Sequence, residues 1–382
     1  MKQYTILFII FLFLPLSAQS DFDSYQKEQA TQRDTYLKEM KLAEANYYAR
    51  QDSLFIQYKD EIERLWNEFK ESTPKEWVSY NADFSGRSEV DFEKSEIKVA
   101  AVVDEKASDA EKEQQKVKAQ EIVKQQLISI MKEKDDISDE PILTNQVQNP
   151  IKENGAIKEV DLEEIAEKIV LETKPVIIKT KEGNKLKYEI SLKLMPNNIK
   201  IRLEKYKAAI EAMCKKHEVN PKVAMAIIHT ESFYNPKAYN RHGNAYGLMQ
   251  IVPKYAGATM NYALYKKKGK PSSDQLFDAE INLNMGIGYI RWLADNKWSK
   301  VTNKDNQYYA IICSYNGGPG CVYKAMTGKM TKIGQDKWDK MMSDLSTMDS
   351  EELYKKLHRD VPWKETRNYI KLVNERMNKY YK

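Results

Sequence analysis

Glu231 is the one acid in the stretch His229–Pro253, HTESFYNPKAYNRHGNAYGLMQIVP. Just upstream, Asn220-Pro221 is an N-cap followed by proline at the first helical position, which starts a helix through Val223, Ala226, Ile227 and Thr230. Glu231 then falls at the C-terminal end of that helix, where the macrodipole is negative and disfavours an ionised carboxylate. Phe233, Tyr234 and Met249 are the nearby residues able to supply apolar cover, which also raises a carboxyl pKa. A carboxyl still protonated near neutral pH can act as a general acid. The bland alternative is a solvated glutamate at a helix end, the usual situation for a charged side chain.

Other chemistry is thinner. His229, Glu231 and His242 invite a zinc reading, but the chain has four histidines in all and lacks a C-x-x-C pair or any ligand set of recognised spacing. No metal and no cofactor is expected. The three cysteines are Cys214, Cys313 and Cys321. Cys313 and Cys321 are close enough in sequence to pair in an oxidising compartment. Small buried thiols are the competing reading for Cys214 and Cys313.

The elements that must carry these residues follow from period and punctuation. The first twenty residues have one cation, an apolar run from Tyr4 to Leu16 and then Ala18-Gln19-Ser20. That run is shorter than the roughly 20 residues of a membrane helix, so it reads as a secretory signal over 1–20. Residues 21–75 predict a long amphipathic helix closed by Pro74, and 77–103 predict short strands. Helices are expected over 107–134 and Leu162–Leu171. A hairpin is expected around Glu182-Gly183-Asn184. These elements make a small α+β domain over 21–195. From Pro196 the pattern is helical: Ile201–His217, Asp278–Leu293, Gln307–Tyr315, Ser350–Leu357 and Glu365–Tyr380. The expected fold is therefore an α+β N-terminal domain followed by a mainly α-helical domain over 196–382.

Charge is split between the halves. Of 61 Lys+Arg and 56 Asp+Glu in the chain, residues 200–382 hold 32 and 18, which leaves 29 and 38 for residues 1–199. The basic C-terminal half favours an anionic partner, and a secretory signal argues against nucleic acid. A cell wall whose stem peptides carry carboxylates fits both observations. The basic loop YKKKGKPSS at 265–273 is either solvated or an attractor for those carboxylates.

Four separated motifs add a resemblance. ESFYNPKAYNRHGNAYGLMQIVP, LFDAEINLNMGIGYIRWL, AIICSYNGGPGCV and ETRNYIKLVNERMNKYY resemble, in order, the motifs of the soluble-lytic-transglycosylase catalytic domain, a branch of the goose-type lysozyme-like fold. Upstream, WVSYNADFSGRSEVDFEKSEIKVAAVVD resembles the N-terminal domain of the membrane-bound lytic murein transglycosylase C group. The resemblance implies cleavage of the β-1,4 bond between N-acetylmuramic acid and N-acetylglucosamine, leaving a 1,6-anhydromuramyl end. Glu231 matches the single catalytic glutamate, acid first and base afterwards. No second Asp or Glu occurs in its stretch, in agreement with a one-acid scheme rather than the two-carboxylate arrangement of most glycosidases.

The resemblance also assigns substrate contacts. Asn240, Met249 and Gln250 match positions lining the glycan cleft, with the turn at Gly243 and Gly247 letting backbone approach sugar. Tyr315 and Asn316 match the tyrosine–asparagine turn, which also reads as a helix C-cap with an αL glycine. Tyr369 matches the tyrosine close to the catalytic acid. Asn240 replaces the serine common in that family. No cysteine follows the apolar run where a lipoprotein signal would have one, so a periplasmic enzyme is expected, in the envelope or associated with the outer membrane. Its expected partners are peptidoglycan glycan strands and, through the N-terminal domain, envelope proteins. The alternatives are a hydrolytic muramidase and a non-catalytic wall-binding or scaffolding protein.

Overall fold

The computed structural model describes residues 16–137, 140–151, 155–158, 161–179, 184–330 and 334–381. The apolar run of the expected signal lies almost wholly outside the described residues. The chain divides into two compact units, Met1–Arg64 and Leu65–Lys382. Helix α1 runs Leu16–Trp66 and stops ahead of the expected Pro74, at Asn67 with its backbone in the left-handed region (φ 55°). Of the apolar positions expected to form its buried stripe, Tyr25, Tyr36, Met40, Leu54 and Tyr58 are exposed.

The second unit opens with a five-stranded antiparallel sheet of order β1-β2-β3-β5-β4. Its strands are β1 Glu76–Tyr80, β2 Gly86–Asp91, β3 Glu96–Asp104, β4 Val176–Lys179 and β5 Lys185–Lys193. Between β3 and β4 come α2 (Asp109–Lys132) and α3 (Leu162–Glu172). Helix α2 packs across β2, β3 and β5, and α3 packs on α2. Val90, Ile97, Val99 and Ala101 meet Val123, Leu127 and Ile169 in one core. The β4–β5 hairpin forms as expected, though most of its turn lies outside the described residues.

The helical part contains α4 (Asn198–His217), α5 (Pro221–Ser232), α6 (Ala258–Tyr265), α7 (Ser273–Phe277) and α8 (Ala279–Asn296). It continues with α9 (Lys304–Gly317), α10 (Pro319–Thr327), α11 (Gln335–Thr347), α12 (Ser350–Asp360) and α13 (Lys364–Tyr380). Polar caps start several of them. The Asn220 side chain accepts from the Lys222 N–H, Asp278 from Ile281, and Asn303 from Asp305 and Asn306. Helix α8 is buried along most of its length and packs against α4, α7 and α9, while α13 packs on α5 and α9. At 318 the expected αL glycine is absent. Gly318 has φ 71° and ψ 159°, a conformation essentially reserved to glycine, and it turns α9 directly into α10, begun by Pro319.

The sheet part and the helical part exchange side chains. Phe233 packs against the sheet core and Ile137 against the helical core. Beside them Asp135 accepts from the Tyr206 hydroxyl (2.6 Å) and pairs with Lys205 (2.9 Å).

Candidate active site

The site is assembled from the C-terminal turn of α5, the loop 238–251, the end of α9 and the first two turns of α13. Helix α5 ends because Phe233 and Tyr234 both adopt left-handed backbone (φ 53° and 59°). That turn leaves Glu231 half-buried at the helix end. Its Oε1 accepts a hydrogen bond of 2.7 Å from the Tyr369 hydroxyl of α13. Burial raises its pKa from 4.5 to about 7. The Tyr369 hydrogen bond and the Arg376 charge pull it down, while the charge of Glu365 pushes it up. Desolvation wins, so the carboxyl is largely protonated at pH 6 and still half protonated at neutrality.

Tyr315 faces the same acid. Burial and the Glu231 charge hold its phenol well above the usual range, and its hydroxyl donates to the Met249 carbonyl (2.9 Å). Its ring meets Tyr289 edge-on at 5.8 Å, and Tyr289 stacks on Trp292 at 5.7 Å. The next residue, Asn316, is fixed at both ends of its amide. Its Oδ1 accepts from the Thr366 hydroxyl (2.6 Å), and its Nδ2 donates to Glu365 Oε1 (3.3 Å). Glu365 is exposed.

The loop residues sort differently. Tyr239–Asn240 and Ala245–Tyr246 pair as a two-residue ribbon, β6 and β7, and Asn240 Oδ1 accepts from the Gly243 N–H (2.9 Å). Gly247 has φ 71°, and a Cβ there would lie 2.4 Å from Asn282 Nδ2 and 2.6 Å from the Leu276 carbonyl. Its glycine therefore serves the packing of the loop on α8. Met249 is fully buried, against Gly286 of α8, so what it offers the site is its carbonyl. Gln250 donates to the carbonyls of Ala238 and Gly247, and its Oε1 is buried without a partner.

The apolar cover expected from Phe233 and Tyr234 is committed elsewhere. Phe233 packs toward the sheet part, with Lys75 and Arg376 5.2 and 4.7 Å from its ring centre. The Tyr234 hydroxyl donates to the Met225 carbonyl (3.0 Å) and contacts the Tyr381 hydroxyl (2.6 Å), which contacts His229 Nδ1 (3.0 Å). Two hydroxyl protons serve three contacts only if His229 Nδ1–H donates to Tyr381 and Tyr381 donates to Tyr234. Burial, with Arg376, Arg202 and Lys75 behind it, lowers the His229 pKa to about 3, so the ring is neutral and this tautomer stands. Helix α5 is thus tied to the end of the chain on one side while Glu231 faces α13 on the other.

Three residues that matter here were not singled out in the sequence. Asn282, wholly buried on α8, accepts from the Met249 N–H and donates to the carbonyls of Tyr246 and Leu276, each at 2.8 Å. An asparagine inside the apolar run INLNMGIG was its only signal. Glu365 and Arg376, which set opposing fields at Glu231, had none. Cys214, Cys313 and Cys321 are all free and buried, and Cys321 Sγ lies 3.4 Å from the Cys313 carbonyl oxygen. Of the two readings left open for Cys313, the small buried thiol is the one found, and Cys313 and Cys321 are unpaired. Among the described residues no cluster of three or more His, Cys, Asp or Glu is arranged to hold a metal ion. A cavity of about 630 Å³ lies at the far end of α5, by Pro221, Met225 and Tyr381, away from Glu231.

Comparison with known sequences bears on both parts. Residues 208–337 match the transglycosylase SLT domain, and residues 37–205 match the N-terminal domain of membrane-bound lytic murein transglycosylase C. The chain belongs to the lytic murein transglycosylase family. The membrane-bound lytic murein transglycosylase C of Mannheimia succiniciproducens is 25% identical over 86% of this chain and 88% of its own. That of Serratia proteamaculans is 31% identical over 50% of this chain, and the match spans about half the relative (51%). The 70-kDa soluble lytic transglycosylase of Escherichia coli is 26% identical over 46% of this chain and 24% of that one, with a TM-score of 0.33. The chain has, among its described residues, no helix long and apolar enough to cross a membrane.

Proposed function

We propose that the chain cleaves peptidoglycan glycan strands at the β-1,4 bond between N-acetylmuramic acid and N-acetylglucosamine, forming 1,6-anhydromuramyl ends. The observation that carries this reading is the single half-buried acid, Glu231, with a pKa near 7 and a tyrosine hydroxyl at 2.7 Å. Protonated Glu231 donates its proton to the glycosidic oxygen as the bond from the muramyl C1 breaks. The glutamate, now ionised, accepts the proton of the muramyl C6 hydroxyl as that oxygen bonds to C1. The proton count closes and no water is consumed. A pKa near the working pH suits a group that must do both tasks. The Tyr369 hydroxyl stabilises the carboxylate between the two steps.

Substrate contacts in this reading come from the residues around the acid. Gln250 is held on the Ala238 and Gly247 carbonyls, and its buried Oε1, which has no protein partner, becomes an acceptor for a sugar hydroxyl or amide proton when the loop 238–251 shifts to admit the glycan. Asn240 and the ring of Tyr315 offer polar and stacking contacts, and Asn316 is held ready by Thr366 and Glu365. Met249 contributes by fixing Tyr315 through its carbonyl. The domains are a signal over 1–20, an N-terminal domain over 21–195 and the catalytic domain over 196–382. The enzyme works in the periplasm, in contact with the envelope, and envelope proteins dock on its N-terminal domain.

Glu365 favours a second reading. Its carboxylate acts on Glu231, and an exposed second acid is what a hydrolytic muramidase uses to activate water. Digestion of purified peptidoglycan with wild type and Glu231→Gln, followed by mass spectrometry of the muropeptides, separates the readings. Anhydro ends from wild type and none from the variant support the transglycosylase. Products one water heavier support hydrolysis. Wall binding without release by either protein makes the chain a non-catalytic binder.

A further inference from the structure

Arg202 occupies a place that neither the motifs nor the comparisons assign. It lies in the first turns of α4 and is 1% exposed. Its Nη1 donates to Gln146 Oε1 (2.7 Å), its guanidinium lies 4.6 Å from the Phe92 ring centre, and its Nε donates to the Phe233 carbonyl (2.8 Å). Gln146 and Phe92 belong to the sheet part, and Phe233 is the residue whose left-handed backbone ends α5. That backbone turns the Phe233 carbonyl away from the helix ladder, where it would otherwise be an orphan acceptor. Arg202 supplies the donor. The ring of the same residue is held between Lys75 and Arg376 and packs on the sheet core. Both ends of Phe233 are therefore gripped, two residues from Glu231.

We propose that Arg202 is a positioning residue that locks the Phe233 turn against the sheet part and so holds the Glu231 carboxyl at the Tyr369 hydroxyl. The sheet part thereby sets the geometry of an acid it does not carry. This inference rests on Glu231 being the proton donor, as proposed above. A displacement of about 1 Å at a reacting group can cost a factor of order 100 in rate. Loss of the Arg202 tie lets the last turn of α5 relax and Glu231 approach solvent, where its pKa returns toward the ordinary carboxylate range.

The test compares Arg202→Met, Arg202→Lys and Gln146→Leu in the full chain. The substrate is sonicated, purified peptidoglycan, and the rate of soluble anhydromuropeptide release is followed from pH 4.5 to 9. Arg202→Met is expected to lower kcat by roughly 10- to 100-fold with KM within about twofold, and to move the alkaline limb of the profile to lower pH. Arg202→Lys, which keeps the charge and one donor, is expected to recover part of the rate and part of the shift. Gln146→Leu removes one of the two ties to the sheet part, leaving the Phe92 contact and the Phe233 bond, and is expected to displace the limb by less than Arg202→Met does. If Arg202→Met does not fold, the lysine variant decides. Arg202 variants with wild-type kcat and limb, or a Gln146→Leu limb displaced as far as theirs, overturn the inference. A wild type that releases no anhydromuropeptide overturns the functional reading instead.

Discussion

Replacing Glu231 by glutamine makes a thermodynamic prediction that needs no substrate. Glutamine is nearly isosteric and neutral at every pH, and its carbonyl still accepts from Tyr369. In the wild type the carboxyl titrates near 4.5 in the unfolded chain and at about 7 in the folded one. Below pH 4.5 both states hold the proton, and the folded state pays nothing for the buried acid. As pH rises through the interval the unfolded carboxyl ionises while the folded one stays protonated, so the wild type loses stability. The slope is about 1.4 kcal/mol per pH unit, and the loss levels off above pH 7 at roughly 3 kcal/mol. Glu231→Gln escapes that loss. Urea unfolding followed by circular dichroism at pH 4, 6 and 8 measures it as the stability difference, variant minus wild type. The difference is expected to grow from pH 4 to pH 8 by roughly 3 kcal/mol, and any constant offset from the substitution itself drops out. A difference that is flat with pH, or that falls, refutes the claim that Glu231 is held protonated by burial.

Further outcomes follow from the same geometry. Glu365→Gln removes a charge that raises the Glu231 pKa, so the alkaline limb of peptidoglycan release moves to lower pH; Tyr369→Phe removes a bond that lowers that pKa, so the limb moves up and the rate falls by about tenfold. Gly247→Ala places a methyl 2.6 Å from the Leu276 carbonyl at a positive φ and is expected to cost about 2–4 kcal/mol in denaturant unfolding. Burial pushes the thiols of Cys214 and Cys321 up to about 12 and raises that of Cys313 well above its usual range. A thiol reagent at pH 8 is expected to find no reactive cysteine in the native protein and all three after unfolding.

What could be read from the sequence was local. The Asn220-Pro221 start, the short strands within 77–103, the ends of α3 and α13 and the start of α8 all rest on short-range chemistry, and they stand within a residue or so of where that chemistry puts them, while α8 runs three residues past its expected end. The loop at 238–251 was marked by its glycines, yet the reason for Gly247 lies in Asn282 and Leu276, on elements folded back from later in the chain. Helix α1 shows the opposite failure. Apolar spacing announced a stripe that the helix leaves exposed at Tyr25, Tyr36, Met40, Leu54 and Tyr58, because period fixes only which residues share a face. Helices α6, α7, α10 and α11 went unread, although Trp338, Met341, Met342 and Leu345 of α11 lie at helical spacing on one face. The pair at the centre of the site, Glu231 and Tyr369, is 138 residues apart, and its link came from a matched motif. No spacing rule announces Glu365, Arg376 or Arg202 near that pair, since their effect depends on how α4 and α13 pack against α5.

The two consecutive left-handed residues after Glu231 also decide where the molecule gives way. Phe233 and Tyr234 each hold on the order of 1–3 kcal/mol of backbone strain, and above neutral pH the adjacent carboxylate adds its own dislike of the interior. Unwinding one turn of α5 relieves all three at once. The turn that readies the acid for chemistry thus carries its full cost from neutral pH upward, a cost that the Arg202 bond and the packing of Phe233 on the sheet core offset.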